Sequence, residues 1–162
     1  MSLRAALVED FKTVTAITDL VDDRIFDMFY LFEDFMNSRA NAVSKFPAIS
    51  IETDTYIPEN NLDAHDNLIV GSYTITCYQQ INKTKFRSRS ATVRDKEIAN
   101  LRAVDTLQDV VVSYLLDKRG TLGIYTLRQP HIENVSDGVF ESEDNREVIT
   151  REISYSITYS KT

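Results

Sequence analysis

The chain has 162 residues, 43% hydrophobic and 27% charged, the length of one domain able to bury a substantial core. Its formal net charge of −7 and sequence pI of about 4.8 exclude a general nucleic-acid binder, which carries a basic domain. One cysteine excludes an internal disulfide, and no run approaches the roughly 18 consecutive apolar residues of a membrane span.

Ser2 stands where a helix N-cap is expected, ahead of Leu3, Ala6, Leu7, Asp10 and Phe11 at three-and-four spacing. All but Asp10 fall on a face to be buried. Val14, Ile17, Leu20 and Val21 continue the rhythm after a break at the β-branched run TVTAIT. The opening MSLRAALVEDF lacks the apolar core of a signal peptide, so the expectation is a protein made and kept in the cytosol, or in something assembled there.

Residues 25 to 36 read as a second short helix, with Ile25, Met28, Phe29, Phe32, Phe35 and Met36 on one side. Such a stripe belongs to a core or a subunit interface; its acidic polar face does not suit an anionic lipid surface. FPAISIETDTYI then changes the period to two, Ile49, Ile51 and Thr53 against Ser50, Glu52 and Asp54. After the polar loop PENNLDAHDN comes a strand, LIVGSYTITCYQQI, in which Cys77 reads as a small buried hydrophobe and Gly71 marks a bulge or a close backbone approach.

A long helix is expected from about Ser90 to Leu116, its apolar face drawn from Ile98, Leu101, Val104, Leu107, Val111, Tyr114 and Leu115, with Gly120 just past its end. LGIYTLRQPHIENV reads as a strand interrupted by Pro130, its later part an edge or an extension. SDGVFESEDNRE reads as an acidic, turn-rich connection, and REVITREISYSITYS is the cleanest alternation in the chain. This order predicts an α+β domain spanning residues 1–162: an antiparallel β-sheet of about four strands, with the long helix and the N-terminal helices packed on one face.

Catalytic patterns are thin. His65 sits in a polar loop and His131 beside Pro130, neither with a partner at metal-ligand spacing. The carboxylate clusters DLVDDR and ESEDN lack the loop that binds Ca²⁺ and read as solvated turns. The expectation is a protein that is not an enzyme, with no catalytic residue, cofactor or metal.

The unusual feature is KTKFRSRSATVRDK, residues 83–96, where Lys83, Lys85, Arg87, Arg89, Arg94 and Lys96 stand against Asp95 alone. Cations here face the positive end of the long helix's dipole and call for a negative counterpart. Two acidic stretches are candidates. Glu52, Asp54, Glu59, Asp63 and Asp66 lie in 52–66 without a Lys or Arg, and Glu133, Asp137, Glu141, Glu143, Asp144 and Glu147 lie in 133–147 against Arg146. Matching acid and base suits a head-to-tail homo-oligomer that closes into a ring. A salt-bridge network within one subunit is the alternative. Nucleic-acid binding is weaker, since only Phe86 is interleaved as a stacking platform.

Three short stretches carry a family resemblance: Ser2, Leu3, Ala6 and Leu7 at the start; Leu20, Val21, Arg24 and Ile25 at a turn; and Pro47, Ala48 and Ile49 entering the first strand. Together with the order of later elements, these resemble the tail-completion (tail-terminator) proteins of long-tailed bacteriophages. Residues 27–46 depart from that pattern as a helix-sized insertion rich in Phe and Met. The resemblance implies a structural virion protein at the tail or neck, assembled in the host cytoplasm. It implies a ring, commonly hexameric, that caps the tail tube protein and gives the head connector its docking surface. DNA would pass through the lumen without specific binding, repelled by an acidic lining. A head-closure or connector ring, and a small cytosolic adaptor binding an acidic protein through residues 83–96, are the alternative readings.

Overall fold

Ser2 begins the first helix as expected, its Oγ accepting a hydrogen bond from the Ala5 backbone N–H at 3.2 Å. The computed structural model describes residues 1–37, 46–58, 68–142 and 146–161. Helix α1 (Leu3–Phe11) and helix α2 (Thr15–Val21) are separate, divided at Lys12–Val14, where the β-branched run begins. Leu3, Ala6, Leu7 and Phe11 are buried, and so are Ile17 and Val21.

Residues 25–36 do not form one helix. Ile25–Asp27 make a short strand, β1, and only Phe29–Asn37 are helical, as α3. The reason is tertiary: β1 lies parallel to β2 (Ala48–Pro58), Ile25 opposite Ile49 and Asp27 opposite Ile51. Met28 makes the corner with a φ of 80°, and its N–H donates to the Ile51 carbonyl at 3.0 Å. Arg24 fixes the approach, donating from Nε to the Pro47 carbonyl at 2.9 Å and from Nη1 to Asp22 Oδ2 at 2.8 Å.

β3 (Leu68–Asn82) pairs antiparallel with β2 and, on its other side, with β6 (Arg146–Lys161). A 3₁₀ turn, Lys83–Arg87, leads from β3 to helix α4 (Ala91–Asp117), within a residue of the expected Ser90–Leu116 at either end and with Ser90 as its N-cap. β4 (Gly120–Leu122) and β5 (Tyr125–Ser142) complete the sheet, whose order is β1-β2-β3-β6-β5-β4. The expected antiparallel sheet of about four strands is thus a mixed sheet of six: four long antiparallel strands and two short ones at the edges.

β5 runs through the first part of the segment read as a turn, as far as Ser142. Ser136, Asp137 and Gly138 pair with Glu152, Arg151 and Thr150, so the neighbouring strand overrides the turn-like composition of SDG. Pro130 is accommodated between register shifts at Leu127/Pro130 and Ile132/Asn134. Beyond Leu127, β5 has no outer neighbour among the described residues, the edge position a proline tolerates. Such shifts bend and twist a strand. The start of β5 curls over the core, and the Tyr125 hydroxyl donates to the Met1 carbonyl at 2.5 Å.

The alternation of the strands divides the side chains between two faces. Ile49, Ile51, Tyr73, Ile75, Cys77, Ile153 and Tyr155 form the main core with α1, α2 and α4, the last contributing Val104, Leu107, Val111 and Leu115. The remaining helix is on the opposite side. α3 packs Phe32 against Phe46, Ala48, Tyr78 and Val148, a second, smaller cluster. The expectation of helices on a single face therefore holds for three of the four α-helices among the described residues and fails for α3.

Candidate interaction surfaces

The basic segment is held by a cap and an apolar anchor. Asn82 Oδ1 accepts from the Thr84 N–H at 3.0 Å and from Thr84 Oγ1 at 2.6 Å, which fixes the 3₁₀ turn. Phe86 packs half-buried against the main core and anchors the turn on the α4 side of the sheet. Lys85, Arg87 and Arg89 are consequently exposed, and no carboxylate among the described residues pairs with them. Arg94 turns back instead, donating from Nη1 to the Ser88 carbonyl at 2.8 Å.

The negative counterpart that the start of α4 calls for is partly internal, and the sequence reading missed it. Glu97 is only 2% exposed, and its Oε1 accepts from the Asn82 backbone N–H at 2.6 Å. Its other oxygen accepts from Asn100 Nδ2 at 3.4 Å. A buried carboxylate in the second turn of α4 offsets the cations and ties that turn to the end of β3. The signal lay in the sequence as the first acidic residue after the segment that the reading counted.

The acidic candidates divide. Asp54 is exposed and accepts from Thr74 Oγ1 at 2.8 Å. Glu59, Asp63, Asp66, Glu143 and Asp144 lie outside the described residues, and of Glu141 the backbone alone is described, paired with Glu147. Lys83 forms an ion pair with Glu147, so part of the basic segment meets part of the second acidic stretch within one chain. Asp137 is also engaged internally, 3.2 Å from Arg151, which reaches Asp105 on α4 at 3.0 Å.

The sheet face beneath α3 carries a feature that strand-by-strand reading did not assemble. Phe32 stacks on the Tyr78 ring at 3.9 Å, and the Tyr78 hydroxyl lies 2.8 Å from Ser50 Oγ. Burial raises the Tyr78 pKa to about 12, against the opposing hydrogen bond from Ser50. Beyond this cluster the face is open. A shallow depression of about 590 Å³ runs from Phe29 to Val139 over a floor of Thr74, Thr76 and Thr150. Glu52, Asp54 and Glu152 line it, and among the described residues no Lys, Arg or His does. Glu52 is held in place by the Phe29 N–H, which donates to its Oε1. Gly138 sits close against Thr150 here: a Cβ would come within 2.5 Å of Thr150 Oγ1, so that side chain would have to turn away.

His131 is exposed on β5, and His65 lies outside the described residues. Among the described residues no group of three or more His, Cys, Asp or Glu is placed to hold a metal ion, and no helix is long and apolar enough to cross a membrane. Cys77 is fully buried, and desolvation pushes its thiol pKa to about 12, with Arg151 pulling weakly the other way.

The fold has a counterpart among solved structures. The chain is similar to a chain of the virion of a native gene transfer agent particle, with 10% sequence identity and a TM-score of 0.59. The likeness covers 98% of this chain and 95% of that one, and at this identity it shows the fold. No protein-family model matches the chain, and no curated protein sequence matches it.

Proposed function

We infer that this chain is a structural protein of a tailed virion, and that it works as a ring at the end of the tail tube, joining the tube to the head connector. The observation that carries the reading is the end-to-end fold likeness to a chain of a virion particle, with almost nothing left over on either side. The resemblance of the Ser2–Leu7, Leu20–Ile25 and Pro47–Ile49 stretches to tail-completion proteins supports the terminal position on the tail.

The physical character of the chain suits that role. A net charge of −7 repels DNA phosphate, so a genome would slide through a lumen lined by this protein without sticking. Long, mutually paired strands over a continuous buried core suit a subunit that must hold its shape in a ring. α3 adds Phe29, Tyr30 and Leu31, all exposed, as an apolar patch that a monomer has no need to display and a neighbouring virion protein would cover.

The test is electron microscopy of the purified protein, alone and mixed with tails that lack their terminal ring. Rings of uniform size, and tails that then join heads, are the expected result. Protein that forms no ring in either setting and leaves the tails incompetent to join heads removes the reading. Rings whose lumen proves neutral or basic remove the account of DNA passage alone.

A further inference from the structure

We propose that the open sheet face between Phe29 and Val139 receives the basic 3₁₀ turn of a second copy of this chain, so that Glu52, Asp54 and Glu152 of one subunit meet Lys85, Arg87 and Arg89 of the next. The inference rests on the ring reading above and names the contact that would build it.

Three observations converge on this occupant. The first is charge. Among the described residues the face offers three carboxylates and no cation, whereas Lys85, Arg87 and Arg89 are exposed with no carboxylate partner. The second is shape. The carboxylates line a shallow depression, while Lys85 and Arg87 stand on the turn that follows the end of β3, with Arg89 two residues past it, and the turn is fixed by the Asn82 cap and the Phe86 anchor.

The third is placement. Phe86 and α4 pack on the main-core face, alongside Ile75 and Cys77. Thr74, Thr76 and Tyr78 alternate with them and lie on the other face, with the depression. The sheet itself stands between the two surfaces, so one copy cannot neutralise its own groove with its own turn. Two unlike surfaces that fit each other, and are kept apart within a subunit, make a heterologous contact, the kind that propagates until a ring closes.

The arrangement also explains why Lys83 differs from its neighbours. Its partner Glu147 is on the same chain, whereas Lys85, Arg87 and Arg89 pair with no carboxylate among the described residues. The threonine floor adds hydroxyls that accept from guanidinium donors, and the half-exposed Phe29 ring offers a face on which an arginine stacks.

The experiment uses paired charge reversals in the full chain, read by sedimentation velocity and by native mass. The turn variant is Arg87→Glu with Arg89→Glu; the groove variant is Asp54→Lys with Glu152→Lys. All four positions are exposed, and circular dichroism checks that each variant is folded. Each variant alone is expected to self-associate about tenfold more weakly than the natural chain, or not at all. An equimolar mixture is expected to recover association, because the acidic turn of one then meets the basic groove of the other, and the natural pairing survives at alternate contacts. Association of the natural chain is also expected to weaken as salt is raised.

Variants that associate like the natural chain, or a mixture that does not recover, overturn the contact. If the natural chain forms rings and the reversals leave them intact, the contact fails while the proposed function stands. If the natural chain forms no ring and completes no tail, the function fails with it.

Discussion

Lys83, the first cation of the basic segment, forms an ion pair with Glu147, the last carboxylate of the acidic stretch near the C-terminus. The two residues flank the same end of the sheet, because Asn82 pairs with Arg146 across β3 and β6. Their side chains are 48% and 21% exposed, so water screens the attraction and the pair adds little to stability. Lys83→Ala is expected to lower the unfolding free energy by less than about 1 kcal/mol in urea titration. It is also expected to leave self-association unchanged, in contrast to reversal at Arg87 and Arg89. A loss of association equal to that of the turn variant would mean that Lys83 contributes across subunits and not within one.

Asp10 and Lys118 form a different sort of pair. They lie 108 positions apart in sequence and 2.5 Å apart in space, joining the end of α1 to the C-cap of α4, with both side chains more than four-fifths buried. Lys118 Nζ also lies 5.2 Å from the centre of the Tyr114 ring. Removing one member leaves the other poorly solvated, so Asp10→Ala and Lys118→Ala are each expected to cost about 1–3 kcal/mol. The double variant is expected to cost less than the sum of the two, and a strictly additive cycle would show that they do not interact.

How far the sequence foretold this structure depends on which forces act locally. Ser2 was legible as a cap because a cap bonds only three residues along, to Ala5. The alternation in β2, β3 and β6 was legible because one face of each is buried. β1 was not, because three residues carry no periodicity and only pairing with Ile49–Ile51 makes them a strand. Residues 136–142 misled for a similar reason: Asp137 and Gly138 are turn formers by preference, held extended by Arg151 and Thr150 opposite. The charge balance drew attention to Lys85, Arg87, Arg89 and Asp54, but Glu152 joined them only when β6 was set beside β3.

Phe32 is the pin that holds α3 to the sheet. It is 1% exposed, stacks on Tyr78 and meets Phe46 edge-on, with ring centres 6.1 Å apart. Phe32→Ala is expected to cost about 3–5 kcal/mol, the usual loss for truncating a buried aromatic side chain. The main core on the other face does not contain Phe32, so the far-ultraviolet spectrum of the folded protein is expected to survive. Hydrogen exchange should accelerate in α3 before it does in α4. Equal acceleration in both helices would show that the second cluster is not a separate unit of stability.

Cys77 gives the fold an alkaline limit. Its thiol titrates near 9.0 when exposed and is raised to about 12 by burial. Between those values the unfolded chain has released the proton and the folded chain still holds it. Unfolding therefore releases a proton in this window, and stability must fall as pH rises through it. Tyr78, raised from 10.0 to about 12, acts in the same direction over a narrower range. Below pH 9 both contributions are fully present. Denaturant unfolding measured from pH 8 to pH 12 is expected to show a steady decline. In Cys77→Ala the decline should be shallower, even though that variant is less stable at pH 8 from the lost packing. A natural chain and a Cys77→Ala variant that decline in parallel would show that the thiol does not govern the slope. The same burial predicts that a thiol-specific reagent at pH 8 leaves Cys77 unmodified in the folded protein and reacts at once after unfolding.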